Sequence, residues 1–270
     1  MFVDGIFSTL NEWLDVEDNS QEDVLAPEAT IDDSADNFHG DKNPGSSGDR
    51  QPPKNMKEDE SFDENLYFSS DTEWLASDND WHPSQFDGWG NPIADAEHWQ
   101  QQQGNNSCAV VAQISILESI TGVEITEAEA CELAEAKGWF DPETGTTAEH
   151  IGKFLEHYGV PCEKSYNGTL EDIADALEKG DKVIVGLDAH EIWHPARDPM
   201  TGSPLEQANG GHAVWVTGID TEPDGSVKII LNDSGTDTGQ MKVVDAEDFL
   251  NAWEDYGNLL VVADSPDVAV

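Results

Sequence analysis

The first place in this chain where chemistry could be done is a cysteine at a boundary between polar and apolar residues. Cys108 follows the polar run Gln102-Gln103-Gly104-Asn105-Asn106-Ser107 and opens the apolar stretch Ala109-Val110-Val111-Ala112. That stretch reads as a helix. The thiol therefore stands at a helix N-terminus, where main-chain amides and the helix dipole favour a thiolate. A thiolate attacks acyl carbon, and it needs a base together with a group that orients the base. His212 follows Gly210-Gly211 and opens the strand-like run Ala213-Val214-Trp215-Val216. Asn232 and Asp233 close the next such run, Ile229-Ile230-Leu231. A hairpin between the two runs makes His212 a neighbour of Asn232 or Asp233. Strand alternation lets only one of those two face the imidazole. Gln102, six residues before Cys108, could donate its side-chain amide to the oxyanion of a tetrahedral intermediate. Cys131, mid-helix, and Cys162, after Pro161 at a strand start, read as small core residues.

A second motif competes. His190-Glu191-Ile192-Trp193-His194 is a literal H-E-x-x-H match, which on a continuous helix would offer two histidines to zinc and a glutamate base. Pro195 follows directly and pushes His194 out of the helical region. The motif also begins within a few residues of a strand, and neither Asp198 nor His212 has convincing spacing as a third ligand. The segment is expected to be a loop over the cleft mouth, with His190 and Trp193 as candidate substrate contacts.

The elements that must position these groups follow from periodicity and caps. Helices are expected over 108–120, 127–136, 147–157 and 170–178, the second and fourth capped by Thr126 and Thr169 and all stopped by glycines. Strands are expected over 182–187, 212–219, 227–231, 242–244 and 259–262, with a helix at 246–253. Glu222-Pro223-Asp224-Gly225 supplies a hairpin turn. Helices first and an antiparallel sheet second define an α+β class.

With these residues in order, the chain resembles the papain-like cysteine peptidases. Gln102-x5-Cys108 entering an apolar helix, then Gly211-His212-Ala213-Val214 and Leu231-Asn232-Asp233, most resemble the bacteriocin-processing (double-glycine leader) peptidase-like branch, over residues 95–264. The resemblance implies a papain-like fold whose helical part carries the cysteine and whose sheet carries His and Asp or Asn. It implies Cys108 as nucleophile, His212 as general base and acid, Asp233 as orienter with Asn232 as the alternative, and Gln102 in the oxyanion hole. Thiol-dependent hydrolysis of a peptide or protein substrate is the implied activity, with no cofactor and no metal. Two departures bear on this. Asp233 is followed by Ser234 where the branch usually has proline, and there is no membrane domain or ATPase, so leader cleavage does not follow. The alternative function is a non-catalytic peptide-binding module of the same fold, and after it a zinc hydrolase through His190 and His194.

Composition limits the partners. Asp and Glu total 57 against 12 Lys and Arg, a formal net charge of −45, which disfavours nucleic acid and anionic membranes. No run of 18 apolar residues suggests a transmembrane helix, and the N-terminus lacks the pattern of a signal peptide. With an odd number of cysteines, this points to the cytoplasm, leaderless export aside. Residues 1–94 form an acidic, mostly disordered segment by composition. It is interrupted by an amphipathic island at Phe2, Ile6, Leu10 and Trp13 and another at 66–75, and it is expected to dock on the catalytic domain or on another protein. Residues 265–270 are a tail.

Overall fold

The computed structural model describes residues 81–265 and, upstream, the backbone of a short strand, β1 (Asn37–Phe38). The apolar islands at 2–13 and 66–75 lie outside the described residues. In chain order there follow a 3-10 turn (Pro83–Gln85), β2 (Trp89–Gly90), α1 (Pro92–Ala96), α2 (Cys108–Thr121) and α3 (Glu127–Ala136). Next come β3 (Thr146–Thr147), α4 (Lys153–His157), β4 (Cys162–Ser165), α5 (Leu170–Lys179), β5 (Lys182–Asp188) and α6 (Ala189–Trp193). The chain closes with β6 (Gly211–Thr221), β7 (Val227–Asn232), β8 (Lys242–Asp245), α7 (Ala246–Glu254) and β9 (Leu260–Ala263).

One antiparallel sheet organises the molecule, in the order β4-β9-β5-β6-β7-β8, with β2 pairing to β6 away from that path. Its two faces are separated by the period-2 alternation of the strands. Val183, Val185, Val214, Val216, Ile229 and Leu231 pack under α5 and α7, whose Ile173, Leu177, Phe249 and Trp253 fill that side. Ile184, Ala213, Trp215 and Val261 face the other side and meet α2, α3 and α4. Each fully buried Leu- or Ile-sized side chain contributes roughly 1.5–3 kcal/mol, so both layers hold the sheet in place beneath the site. No helix among the described residues is long and apolar enough to cross a membrane.

Local signals explain most of the elements. Thr126 with Glu129 and Thr169 with Asp172 form capping boxes at the starts of α3 and α5. α2 is buried along ten consecutive residues, Cys108 to Leu117, as its all-round apolar sequence requires. The helix expected over 147–157 is broken: a 3-10 turn at Ala148–His150 is followed by Gly152 at φ +95, and only then by α4. The cause is packing. A Cβ on Gly152 would lie 3.2 Å from both Cys162 Cβ and Val261 Cγ1. Buried Gln113 of α2 also reaches in and accepts from the amides of Gly152 (2.8 Å) and Phe154 (3.1 Å), capping the new helix from outside.

Candidate active site

His212 is the second residue of β6 and Asp233 immediately follows β7. The two strands pair with Trp215 opposite Asn232, which brings the histidine and the aspartate to the same end of the hairpin. His212 Nε2 and Asp233 Oδ1 are 2.7 Å apart, and both side chains are fully buried. Asn232 lies on the other parity: its Nδ2 donates to Asp95 O (2.7 Å) and its Oδ1 accepts from Met241 N. Of the two candidates, Asp233 is the one hydrogen-bonded to the imidazole.

Asp233 is held on every side. Oδ2 accepts from Trp193 Nε1 (2.7 Å), and Oδ1 also accepts from Gly235 N (2.8 Å). Its main-chain N–H donates to Gly239 O, and its carbonyl accepts from Trp99 Nε1. Gly235 allows this crowding, since a Cβ there would sit 2.6 Å from Trp193 Cζ2 and 3.0 Å from His212 Cε1. Burial alone would raise the Asp233 carboxyl, but the imidazole, the indole N–H and the Gly235 amide outweigh it and hold it below the usual carboxylate range. Burial likewise opposes the charged imidazole, yet Asp233 and the Cys108 sulfur push His212 up to about 10.

These opposite shifts give a pH signature. His212 lies above its unfolded value of about 6.5, so its contribution to stability is complete below that pH and falls away as pH rises towards 10. Asp233 lies below its unfolded value of about 3.9, so its contribution is present above that pH and is lost as pH falls. The gap in melting temperature between wild type and His212→Gln should therefore be widest between about pH 4 and 6.5 and narrow above. A gap that widens from pH 7 to 10 would contradict this electrostatic account.

Cys108 is the first residue of α2 and is fully buried. The loop before it is anchored by a residue that sequence reading did not single out. Glu127, which opens α3, accepts from Gln103 N (2.6 Å), Gly104 N (2.8 Å) and Ser107 Oγ (2.6 Å). Ser107 is thereby drawn away from capping α2, which has no side-chain N-cap bond. On the other side, Asn106 Nδ2 donates to the carbonyls of Pro142 and Glu143. Gln102 sits within this loop, where Nε2 donates to Gly104 O (2.9 Å) and, more weakly, to Asn105 O (3.4 Å). Its Oε1 accepts from Ser234 Oγ (3.0 Å), and its main-chain N–H donates to Ser234 O. The amide expected to point at an oxyanion is thus committed to its own loop, and the weaker bond to Asn105 is the one it could exchange.

The H-E-x-x-H segment forms a single turn, α6, that ends at Trp193 before Pro195. His190 Nδ1 is bonded to Ala208 O at 2.6 Å, and its ring lies about 3 Å from where a Cβ on Gly210 would be. Trp193, expected as a substrate contact, donates its indole N–H to Asp233, and its ring stands edge-on to His212 at 5.3 Å between centroids. A buried carboxylate is a stronger acceptor for that N–H than a passing peptide. Among the described residues, the groups that converge closely enough for a metal are Asp188, Glu191 and Asp255, and neither His190 nor His194 is among them. The other two cysteines are half-buried free thiols. Burial and nearby acidic groups push both Cys131 and Cys162 up to about 12.

Comparison with known proteins agrees with this architecture. The model of the Peptidase C39 like family matches residues 93–261, and the chain belongs to that family. Its fold is the papain-like α+β fold, with the cysteine helix first and the His–Asp sheet second. Uncharacterized proteins of Mycobacterium tuberculosis and Mycobacterium bovis are each 31% identical to it over 197 residues, covering 61% of this chain and 79% of theirs. Among solved structures, a Bacillus anthracis protein described as a C39-like peptidase has a TM-score of 0.45 at 12% identity, covering 66% of this chain and 98% of its own. Procathepsin B from Trypanosoma congolense has a TM-score of 0.43 at 13% identity, covering 66% and 75%.

Proposed function

We propose that this chain hydrolyses peptide bonds through Cys108, His212 and Asp233. The observation that carries the reading is the division of labour on the imidazole. Nε2 is bonded to Asp233, while Nδ1 is buried without a hydrogen-bond partner among the described residues. The Cys108 sulfur is near enough to raise the imidazole, though the contact falls short of a formed hydrogen bond. Such bonds often tighten only with substrate present. The nitrogen left for the thiol is therefore Nδ1.

In this mechanism His212 takes the thiol proton and the Cys108 thiolate attacks the scissile carbonyl carbon. The oxyanion is held by amides at the start of α2, with Gln102 as a second donor once it releases Asn105. The imidazolium then protonates the departing amine, leaving a thioester on Cys108. Water, deprotonated by His212, attacks the thioester and releases the acid. Asp233 stays ionised throughout and fixes the imidazole orientation.

The N-terminal segment is proposed to dock on this domain and restrict access to the cleft. β1 pairs antiparallel with β3, Asn37 opposite Thr147, and lies beside β6. β3 follows the same loop whose Pro142 and Glu143 hold Asn106. Cys108 and His212 are both fully buried, so some element has to move before a substrate can enter.

One experiment tests both parts: iodoacetamide labelling of each cysteine against pH, read by peptide mass mapping. Cys108 is expected to label well below pH 8, more slowly in His212→Ala and faster once residues 1–80 are removed. Cys131 and Cys162, pushed up to about 12, should stay slow throughout. Cys108 labelling no faster than the other two, with or without residues 1–80, would instead fit a peptide-binding module with an idle thiol. An unchanged rate on truncation would remove the docking proposal alone.

A further inference from the structure

Beside the His212 strand three carboxylates meet, with His190, whose Nδ1 lies 3.7 Å from Asp188 Oδ1, as the cationic neighbour among the described residues. Asp188 ends β5, Glu191 lies in α6, and Asp255 follows α7, with oxygen atoms of the three within 4.8 Å of one another. Two of the groups are tied to the fold. Asp188 Oδ1 accepts from His190 N (2.8 Å) and Gly210 N (3.1 Å), while Glu191 accepts from Gln207 N (2.9 Å) and Asn251 Nδ2 (2.5 Å). The remaining oxygen is the informative one. Asp188 Oδ2 belongs to a fully buried residue and has no hydrogen-bond partner among the described residues, and Asp255 Oδ2 is orphaned in the same way.

A buried carboxylate oxygen without a donor is costly, and two beside a third carboxylate are costlier. Burial and the neighbouring Glu191, Glu206, Asp188 and Glu254 push Asp255 up to about 7. No Lys or Arg is paired with any of the three among the described residues, and His190 lies against Asp188 Oδ1, not against the orphaned Oδ2. An all-oxygen donor set with negative charge and orphaned lone pairs suits a hard divalent cation, calcium before zinc.

We propose that Asp188, Glu191 and Asp255 form a calcium-class cation site that ties the turn carrying Trp193 to the end of α7. The site does not depend on the proposed peptidase activity. Its role is positional: Asp188 caps α6, and Trp193, at the end of that turn, supplies the N–H that holds Asp233. A bound cation would fix α6 against α7 and so fix the orienter of His212. It takes no part in bond breaking.

The test uses the full chain and two readouts other than activity. With TbCl3 and excitation of tryptophan, wild type is expected to give saturable luminescence that CaCl2 displaces, in a buffer salty enough to screen the general acidity. CaCl2 should also raise the melting temperature. In Asp255→Asn, at a half-exposed position that should tolerate the change, affinity should weaken about tenfold or more and the calcium-dependent shift should vanish. Glu132→Gln, an exposed change of equal charge on α3, should behave as wild type. Equal responses in all three proteins would overturn the site and assign the binding to diffuse surface charge. Absence of luminescence in wild type, with Asp255→Asn melting higher than wild type, would also overturn it, because a shared proton would then be relieving the cluster.

Discussion

Cys108→Ala should abolish peptide turnover, by about 10⁴-fold or more, while the melting temperature scarcely moves. The two halves of that expectation rest on different links. Neither other thiol offers a substitute, since Cys131 on α3 and Cys162 on β4 are half-buried at the edge of the same core cluster and are pushed up to about 12. The fold, by contrast, loses only one sulfur. Cys108 is fully buried at the start of a helix whose neighbours Ala109, Val110 and Val111 remain packed. Removing one such atom costs about 1 kcal/mol through the small void left behind. Cleavage of a peptide library followed by mass spectrometry, alongside a thermal melt, reads both. Turnover near wild type in the alanine variant would sink the mechanism, whereas loss of turnover together with collapse of the melt would mean that the thiol is structural.

Asp233→Ala should have the largest effect on stability, about 3–5 kcal/mol, because it removes one partner of a fully buried ion pair and strands the other. The change also orphans the Trp193 indole N–H and the Gly235 amide, both of which bond only to that carboxylate in the contacts described above. Trp193→Phe removes one donor and leaves the ion pair, so it should cost less, about 1–3 kcal/mol. Asp233→Asn keeps the shape and loses the charge, and should fall between the two. Urea denaturation with a constant m-value orders the three. If Asp233→Ala were no worse than Trp193→Phe, the pair would contribute little and the pH signature of His212 should disappear with it.

Much of the frame was legible in the sequence because its signals are local. Thr126 and Thr169 marked helix starts with side chains that reach only three residues, and the apolar run after Cys108 dictated a central helix. The alternation of Ile229-Ile230-Leu231 was enough to say that Asn232 and Asp233 face opposite ways. What escaped was long-range. Nothing within reach of Gly152 in the chain announces the close contact with Cys162 and Val261 that breaks the helix there. Glu127 reads as an ordinary first-turn acid, yet it accepts three bonds from the loop before Cys108. Trp193 reads as a cleft residue from its place in a loop, and nothing local announces its hydrogen bond to Asp233. Its true partner lies 40 residues away in the chain, where only the folded hairpin brings it.

A seam joins the loop before Cys108 to the loop that begins at Asp233. Gln102 N–H to Ser234 O, Ser234 Oγ–H to Gln102 Oε1 and Trp99 Nε1–H to Asp233 O stitch the two together. Separating them would break three hydrogen bonds at once, so this edge behaves as a closed spine. Were the proposed docking through β1 and β3 released, this seam would still hold the two loops together. Cys108 and Asp233 would then keep their mutual placement while access changed, and under the proposed function control of access would be separate from control of chemistry.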